Sequence, residues 1–85
     1  MKEFQYIITD AEGIHARPAG ELVKAAKEFT CSIQMSKDGR TVDCKKIFGI
    51  MSLGVKKGQE VVLTFEGPDE ETAYETVKSF MKEKL

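Results

Sequence analysis

The sequence has 85 residues, 41% of them hydrophobic, and its 13 basic and 14 acidic side chains leave a formal net charge of −1. This length predicts one small domain over residues 1–85, and the hydrophobic fraction excludes an intrinsically disordered chain. No apolar run approaches the roughly 18 residues that cross a membrane, and the first residues lack the pattern of a signal peptide. We therefore expect a cytoplasmic protein with no direct membrane insertion.

Charge is distributed unevenly along the chain. Residues 14–57 carry nine basic and four acidic side chains, whereas residues 58–85 carry three basic and seven acidic ones. The central segment is therefore suited to an acidic partner, with an ordinary solvated surface as the alternative. The two cysteines, Cys31 and Cys44, are too few for a zinc cluster or a disulfide framework and are predicted to be buried thiols.

The first predicted element is a strand over residues 4–8, where apolar side chains alternate. Its inward face consists of Phe4, Tyr6 and Ile8. A loop at residues 10–13 precedes a helix over residues 17–29, because apolar residues recur there at helical spacing. These residues are Ala19, Leu22, Val23, Ala26 and Phe29. Pro18 is expected at the first or second helical position, where its missing N–H costs nothing.

Residues 31–44 are predicted to form a hairpin, because Asp38-Gly39 is the strongest short turn signal in the chain. One or two helical turns should follow between Lys46 and Leu53. The clearest strand covers residues 60–66, EVVLTFE.

Pro68-Asp69 opens a last predicted helix, with Asp69 as its N-cap. Its buried stripe is formed by Ala73, Val77, Phe80 and Met81. The element order is thus βαββαβα, and its short connections favour a four-stranded antiparallel sheet with helices packed on one face. The predicted fold class is α+β, an open-faced β-sandwich.

The only histidine of the chain, His15, lies at the start of the helix predicted from residue 17. At or just before the N-cap, its ring would lean over the first free backbone N–H groups of the helix. The positive end of the helix and the nearby Arg17 disfavour the imidazolium and so favour a neutral, nucleophilic ring. The segment Ala16-Arg17-Pro18 would also hold an anion such as a phosphoryl group.

Two further features suggest that a partner protein approaches His15. One face of the helix presents Arg17, Gly20, Lys24 and Lys27. Gly20 costs about 1 kcal/mol against alanine, and room for a closely approaching partner would explain its presence. The segment 45–53 contributes an apolar patch with basic neighbours, which is typical of a docking surface. Its residues are Lys45, Ile47, Phe48, Met51 and Leu53.

The sequence contains no second histidine, no metal-ligand cluster, no Ser/His/Asp set and no glycine-rich phosphate loop. An enzyme that acts on its own is therefore not expected, and neither is a cofactor. An isolated histidine at a helix start can also be an ordinary capping or loop residue. What distinguishes His15 is a reactive group without catalytic companions beside a surface suited to an acidic partner.

The stretches GIHARPA, residues 13–19, and IFGIMSLG, residues 47–54, resemble the HPr family, the histidine-containing phosphocarriers of the bacterial sugar phosphotransferase system. The resemblance covers essentially the whole chain. It implies that enzyme I phosphorylates His15 on Nδ1 with phosphate from phosphoenolpyruvate, and that the phosphoryl group passes to a histidine of EIIA domains. It further implies that Arg17 accompanies the phosphohistidine and that the 47–53 segment docks both partners.

One position departs from the family pattern. Many members carry a serine just before the Ile-Phe/Met-Gly segment, which a dedicated kinase phosphorylates to mute transfer and recruit a transcriptional regulator. Here that position is Lys46, which has no hydroxyl and adds positive charge instead. Ser52 matches an ordinary family serine outside the switch. We therefore expect a carrier without the seryl switch, or a paralogue that serves a narrower route.

Two alternatives belong to other functional classes. A regulatory binding module would act by docking on an enzyme or a transcription factor, but docking alone needs neither His15 nor Arg17. A small RNA-binding domain would fit the element order, but the net charge near zero and the lack of stacking aromatics in residues 41–44 disfavour it. We thus expect protein partners, not nucleic acid, and a monomer whose docking face is free.

Overall fold

Four strands and three helices follow one another in the predicted order βαββαβα in the computed structural model, which describes residues 1–85. The elements are β1 (Lys2–Ile7), α1 (Ala16–Ala26), β2 (Ser32–Lys37), β3 (Arg40–Asp43), α2 (Ile47–Ser52), β4 (Glu60–Glu66) and α3 (Glu70–Lys84).

The strands form one antiparallel sheet in the order β1-β4-β2-β3. Alternate residues of the central strand β4, Val61, Leu63 and Phe65, are fully buried, because successive side chains of a strand point to opposite faces of the sheet. They belong to a single core of 21 residues, to which α1 and α3 also contribute buried faces. The intervening residues Val62 and Thr64 are only half-buried on the opposite face. The open-faced α+β fold is therefore confirmed.

The helix α1 differs from its predicted bounds at both ends. It begins at Ala16 and ends at Ala26. Backbone hydrogen bonds between residues three apart, such as Phe29 N–H to Ala26 O at 3.2 Å, form the turn that follows. Pro18 is the third helical residue, not the first or second. The first backbone bond of the helix is donated by Ala19 N–H to His15 O, so the missing N–H of Pro18 costs nothing at this position either.

The hairpin of β2 and β3 turns at Asp38-Gly39, as predicted. Asp38 has a φ of 50° and Gly39 a φ of 83°, which is the backbone geometry of a type I′ turn. The short helix α2 also lies within its predicted range. The two cysteines are free and buried, and burial raises the pKa of Cys31 to about 11 and that of Cys44 to about 12. Both are therefore protonated thiols at neutral pH.

Asp69 occupies the N-cap position of α3, but its carboxylate does not cap the helix. It accepts hydrogen bonds of 2.8 Å from the backbone N–H groups of Thr30 and Cys31. The bond from Thr30 is the largest of the contributions that hold the pKa of Asp69 below its ordinary value. Glu70 instead accepts the N–H of Gly67 at 3.0 Å. Asp69 thus joins the start of α3 to the segment that leads into β2.

The depressed pKa of Asp69 makes stability depend on pH in acid. The carboxylate stabilises the native state above its unfolded pKa, and this contribution is lost as pH falls through the lower folded pKa. We expect Asp69→Asn to lower the Tm by several degrees at neutral pH, with a difference from wild type that shrinks below about pH 4. Thermal unfolding followed by circular dichroism across this pH range measures it.

Asp38→Asn is the matched control, because the Asp38 carboxylate lies in the exposed hairpin turn and accepts no hydrogen bond, and asparagine tolerates the positive φ there. This variant should keep the wild-type pH profile. An Asp69→Asn variant whose Tm deficit is the same at neutral and acid pH would contradict the assignment.

Candidate functional site

His15 is the N-cap residue of α1 and has an extended backbone, with φ of −95° and ψ of −177°. Its carbonyl accepts the first helical hydrogen bond, from Ala19 N–H at 3.0 Å. The side chain is about one-third exposed and makes no capping hydrogen bond. The backbone N–H groups of Ala16 and Arg17 have no partner within the chain. The helix start therefore leaves both the ring and two N–H donors accessible.

The backbone before His15 is held against the segment that follows α2. Gly13 has a φ of 70°, and a Cβ at this position would lie 2.3 Å from Val55 O and 2.7 Å from Lys56 Cα. Both the conformation and the space therefore require glycine. The N–H of Ile14 donates to the same Val55 oxygen at 3.1 Å. This double approach sets where α1 begins and hence where the His15 ring emerges.

The His15 ring lines a shallow pocket of about 210 Å³, which is also lined by both acidic and basic side chains. Its lining consists of Asp10, His15, Arg17, Pro18, Glu21 and Lys84. The ring makes no hydrogen bond to the helix N–H groups, and its Nε2 atom faces Asp10 Oδ1 at 3.6 Å. Arg17, predicted from the sequence, lines this pocket. Sequence reasoning missed Asp10, Glu21 and Lys84.

Distance along the chain explains the missed residues. Lys84 is the last residue of α3 and reaches the pocket only because α3 packs on α1. Asp10 lies in the predicted loop at residues 10–13. Its position five residues before the histidine is the one sequence signal that it could lie near the ring. Glu21 lies one turn beyond Arg17, so helical spacing alone was sufficient to place it near the pocket.

The basic face predicted on α1 is exposed, and Arg17, Lys24 and Lys27 take part in no salt bridge. Gly20 is half-buried beside α2, where an added Cβ would lie 3.7 Å from Ile47 Cδ1. The space that we expected to receive a partner is thus taken up in part by Ile47 of the same chain. Gly20 belongs to the contact between α1 and α2.

The predicted apolar patch is smaller than expected. Phe48 is 86% exposed and Met51 is 39% exposed, so these two residues, three apart, form the outer face of α2. Ile47 is half-buried. Leu53 is only 6% exposed, and its assignment to the docking surface was wrong. It lies three residues after the buried Ile50, on the face of α2 that packs into the core.

Lys45 is also placed differently from the expectation. Its side chain is half-buried, and its Nζ atom donates to the backbone oxygen of Phe29 at 2.7 Å. Lys24, Lys27 and Lys46 are exposed, and Lys27 and Lys46 line a groove of about 600 Å³ that passes Phe48. We call the exposed side chains of Phe48 and Met51, together with these three lysines, the docking face.

Two cations of the hairpin hold the far end of α2. Arg40 Nη1 donates to Ser52 O at 2.9 Å, and Lys37 Nζ donates to Leu53 O at 3.1 Å. Positive charge at the C-terminal end of a helix is favourable. Lys46 lies at the opposite end, at the N-cap, where its side chain makes no capping bond. The sequence provided no signal for the hairpin contacts.

No helix is long and apolar enough to cross a membrane. No group of three or more His, Cys, Asp or Glu side chains is arranged to hold a metal ion.

Residues 2–83 match the family model described as "PTS HPr component phosphorylation site". Three solved structures illustrate the similarity. HPr-C-His of Thermoanaerobacter tengcongensis is 43% identical, with a TM-score of 0.92 over 96% of this chain and 92% of that chain. The histidine-containing phosphocarrier protein of Mycoplasma is 33% identical, with a TM-score of 0.94 over 96% and 93%. Crh of Bacillus subtilis, a catabolite repression protein described as a dimer with a swapped domain, is 36% identical, with a TM-score of 0.79 over 100% and 98%.

Proposed function

The chain belongs to the HPr family of phosphocarriers of the phosphotransferase system, and we propose that it carries the phosphoryl group on Nδ1 of His15. One observation carries this proposal: the one-third exposed ring lies at the start of α1 beside two backbone N–H groups without partners and beside Arg17. This arrangement offers a nucleophile and an anion site together.

The transfer moves one phosphoryl group between two nitrogens. The Nδ1 lone pair forms the new N–P bond while the N–P bond of a phosphohistidine on enzyme I breaks and returns its electron pair to the donor nitrogen. The Arg17 guanidinium and the N–H groups of Ala16 and Arg17 stabilise the charge on the phosphoryl oxygens. The same step in the opposite sense passes the group to a histidine of an EIIA domain.

We propose a carrier and not an enzyme. The chain supplies one histidine and no second general base, so the partners provide the remaining catalytic groups. It acts as the phosphorylated substrate of transferases and requires no cofactor. Residues 1–85 form the single phosphocarrier domain in this proposal, which works in the cytoplasm, where phosphoenolpyruvate is available.

Enzyme I and EIIA domains use the docking face in turn. Phe48 and Met51 supply exposed apolar area, Lys27 and Lys46 line the groove beside Phe48, and Lys24 adds positive charge on α1, which suits partners with an apolar site rimmed by acids. We propose that the carrier works as a monomer, because a dimer that covered this face would block both transfers. Crh is a dimer, so the oligomeric state of this chain is part of the proposal.

A regulatory module that acts by docking alone is the second candidate, and the similarity to Crh favours it. His15 and Arg17 favour the carrier, since docking needs neither. Regulatory proteins remain compatible with the carrier as further partners.

We also propose that the seryl switch is absent. Lys46 at the N-cap of α2 has no hydroxyl to accept phosphate. The hydroxyl of Ser52 donates to Gly49 O at 2.6 Å and lies 3.2 Å from the donor Arg40 Nη2, at the other end of the helix.

The first prediction of the proposed function concerns the phosphorylated residue. Incubation with enzyme I and phosphoenolpyruvate should add one acid-labile phosphate, and His15→Ala should abolish it because the nucleophile is removed. Mass spectrometry before and after mild acid treatment measures both. Equal labelling of His15→Ala would disprove the assignment, and tight binding to a partner outside sugar transport with no phosphoryl transfer would favour the regulatory module.

The second prediction concerns the docking face. Phe48→Ala removes the most exposed large side chain of this face. The loss of about 1–2 kcal/mol of binding free energy should raise the KM of enzyme I for this protein by five- to thirtyfold. The kcat should change little, because His15 is untouched. Ile7→Ala is the control, since Ile7 is 56% exposed on β1, outside the docking face. The docking assignment fails if both variants raise the KM equally.

The third prediction concerns Lys46. A serine kinase that modifies other family members should leave this protein unlabelled, whereas Lys46→Ser should become a substrate because it restores a hydroxyl at the helix start. Phosphopeptide mapping identifies the labelled residue. Stoichiometric seryl phosphate on the wild-type chain would rule out the loss of the switch.

A further inference from the structure

We propose that Asp10 keeps a proton on Nε2 of His15 in both the free and the phosphorylated protein, so that Nδ1 is always the atom that exchanges the phosphoryl group. Asp10 is then a positioning residue, since it acts through the histidine ring and not on the phosphoryl group. This inference rests on the proposed phosphocarrier function and names the group that orients its nucleophile.

The contact that carries the inference is the distance of 3.6 Å between His15 Nε2 and Asp10 Oδ1. Both side chains are about one-third exposed or less, so solvent weakens the attraction without removing it. A carboxylate accepts hydrogen bonds but cannot donate one, and it therefore favours the ring form that carries the proton on the facing nitrogen. That form leaves the lone pair on Nδ1.

The position of Asp10 is determined by backbone contacts on both sides of it. Its Oδ1 atom also accepts the N–H of Glu12 at 2.8 Å, and its carbonyl accepts the N–H of Gly13 at 3.0 Å. These bonds close the turn that leads to His15. The carboxylate is thus held near the ring by the same turn that places the ring.

The residues that lead into this turn are hydrogen-bonded to Leu85, the residue that follows α3. The backbone oxygen of Leu85, a residue only 2% exposed, accepts hydrogen bonds from the N–H groups of Thr9 and Asp10 and from the Thr9 hydroxyl. Asp10 therefore has little freedom to leave the ring, and its side chain need not pay much ordering entropy to stay there.

The remaining charged groups of the pocket are Arg17, Glu21 and Lys84. None of them lies within 4 Å of a ring nitrogen as a charged partner, whereas Asp10 Oδ1 lies 3.6 Å from Nε2. The two cations are suited to the phosphoryl oxygens, and Asp10 alone contacts the ring nitrogen that does not react. The pocket thus separates the charge that binds the phosphoryl group from the charge that orients the nucleophile.

The proton balance of the transfer follows from this arrangement. When the Nδ1 lone pair forms the N–P bond, the ring keeps the proton on Nε2 and becomes cationic, and the Asp10 carboxylate offsets the new charge. When the bond breaks, its electron pair returns to Nδ1 and a neutral ring leaves with the same Nε2 proton. No proton needs to enter or leave the site in either direction.

Nuclear magnetic resonance of the ring tests the inference directly, because His15 is the only histidine in the chain. Long-range ¹H–¹⁵N spectra at a pH where the ring is neutral should show the proton mostly on Nε2. Asp10→Asn retains an oxygen that accepts the Glu12 N–H but removes the charge. It should raise the population ratio of the Nδ1-protonated to the Nε2-protonated form roughly two- to fivefold.

Transfer kinetics provide a second readout. With phosphorylated protein and an EIIA acceptor, Asp10→Asn should lower the first-order transfer rate roughly two- to fivefold and leave the KM unchanged, because Asp10 lies outside the docking face. A purely structural effect would lower the rate without changing which ring nitrogen carries the proton.

Glu12→Gln is the matched control, since its exposed side chain belongs to the same turn but makes no hydrogen bond or salt bridge. It should behave as wild type in both experiments. The inference would be overturned if Asp10→Asn left the population ratio of the Nδ1-protonated to the Nε2-protonated ring unchanged, or if Glu12→Gln changed this ratio equally. If the wild-type protein accepts no phosphoryl group, the proposed function falls, and the ring spectra alone decide whether Asp10 orients His15.

Discussion

The site depends on one close backbone approach, that of Gly13 to the carbonyl of Val55. No side chain fits between them, and the oxygen of Val55 also receives the N–H of Ile14. The start of α1 is consequently fixed relative to the segment after α2, and this fixes the position of the His15 ring relative to the docking face. His15 can remain without a capping bond because its position is determined by the backbone, and its side chain is left for chemistry.

The elements that were predicted correctly are those whose signals are local. The strand β4, the Asp38-Gly39 turn and the position at which the last helix begins are indicated by residues close together in sequence, and the structure agrees with each. A lone histidine followed by arginine and proline likewise identified the candidate site. These signals were sufficient for the fold.

The remaining details depend on contacts between distant parts of the chain, which one sequence does not display. Lys84 reaches the His15 pocket only through the packing of α3 on α1. The carboxylate of Asp69 accepts hydrogen bonds from the N–H groups of Thr30 and Cys31 and none from its own helix. Composition marked Lys45 and Leu53 as surface residues of a docking segment. In the structure, Leu53 is buried on the core-facing side of α2, and Lys45 donates to the backbone oxygen of Phe29. Neither side chain is therefore part of the docking face.

The attachment of α2 to the hairpin has a practical consequence. Lys37 and Arg40 flank the turn of the hairpin and bind the last carbonyl groups of the helix whose first turn presents Phe48. Displacement of α2 by a bound protein would therefore be transmitted to the hairpin tip, where Asp38 and Gly39 are exposed. A fluorophore attached at this tip would report occupancy of the docking face while occupying none of it.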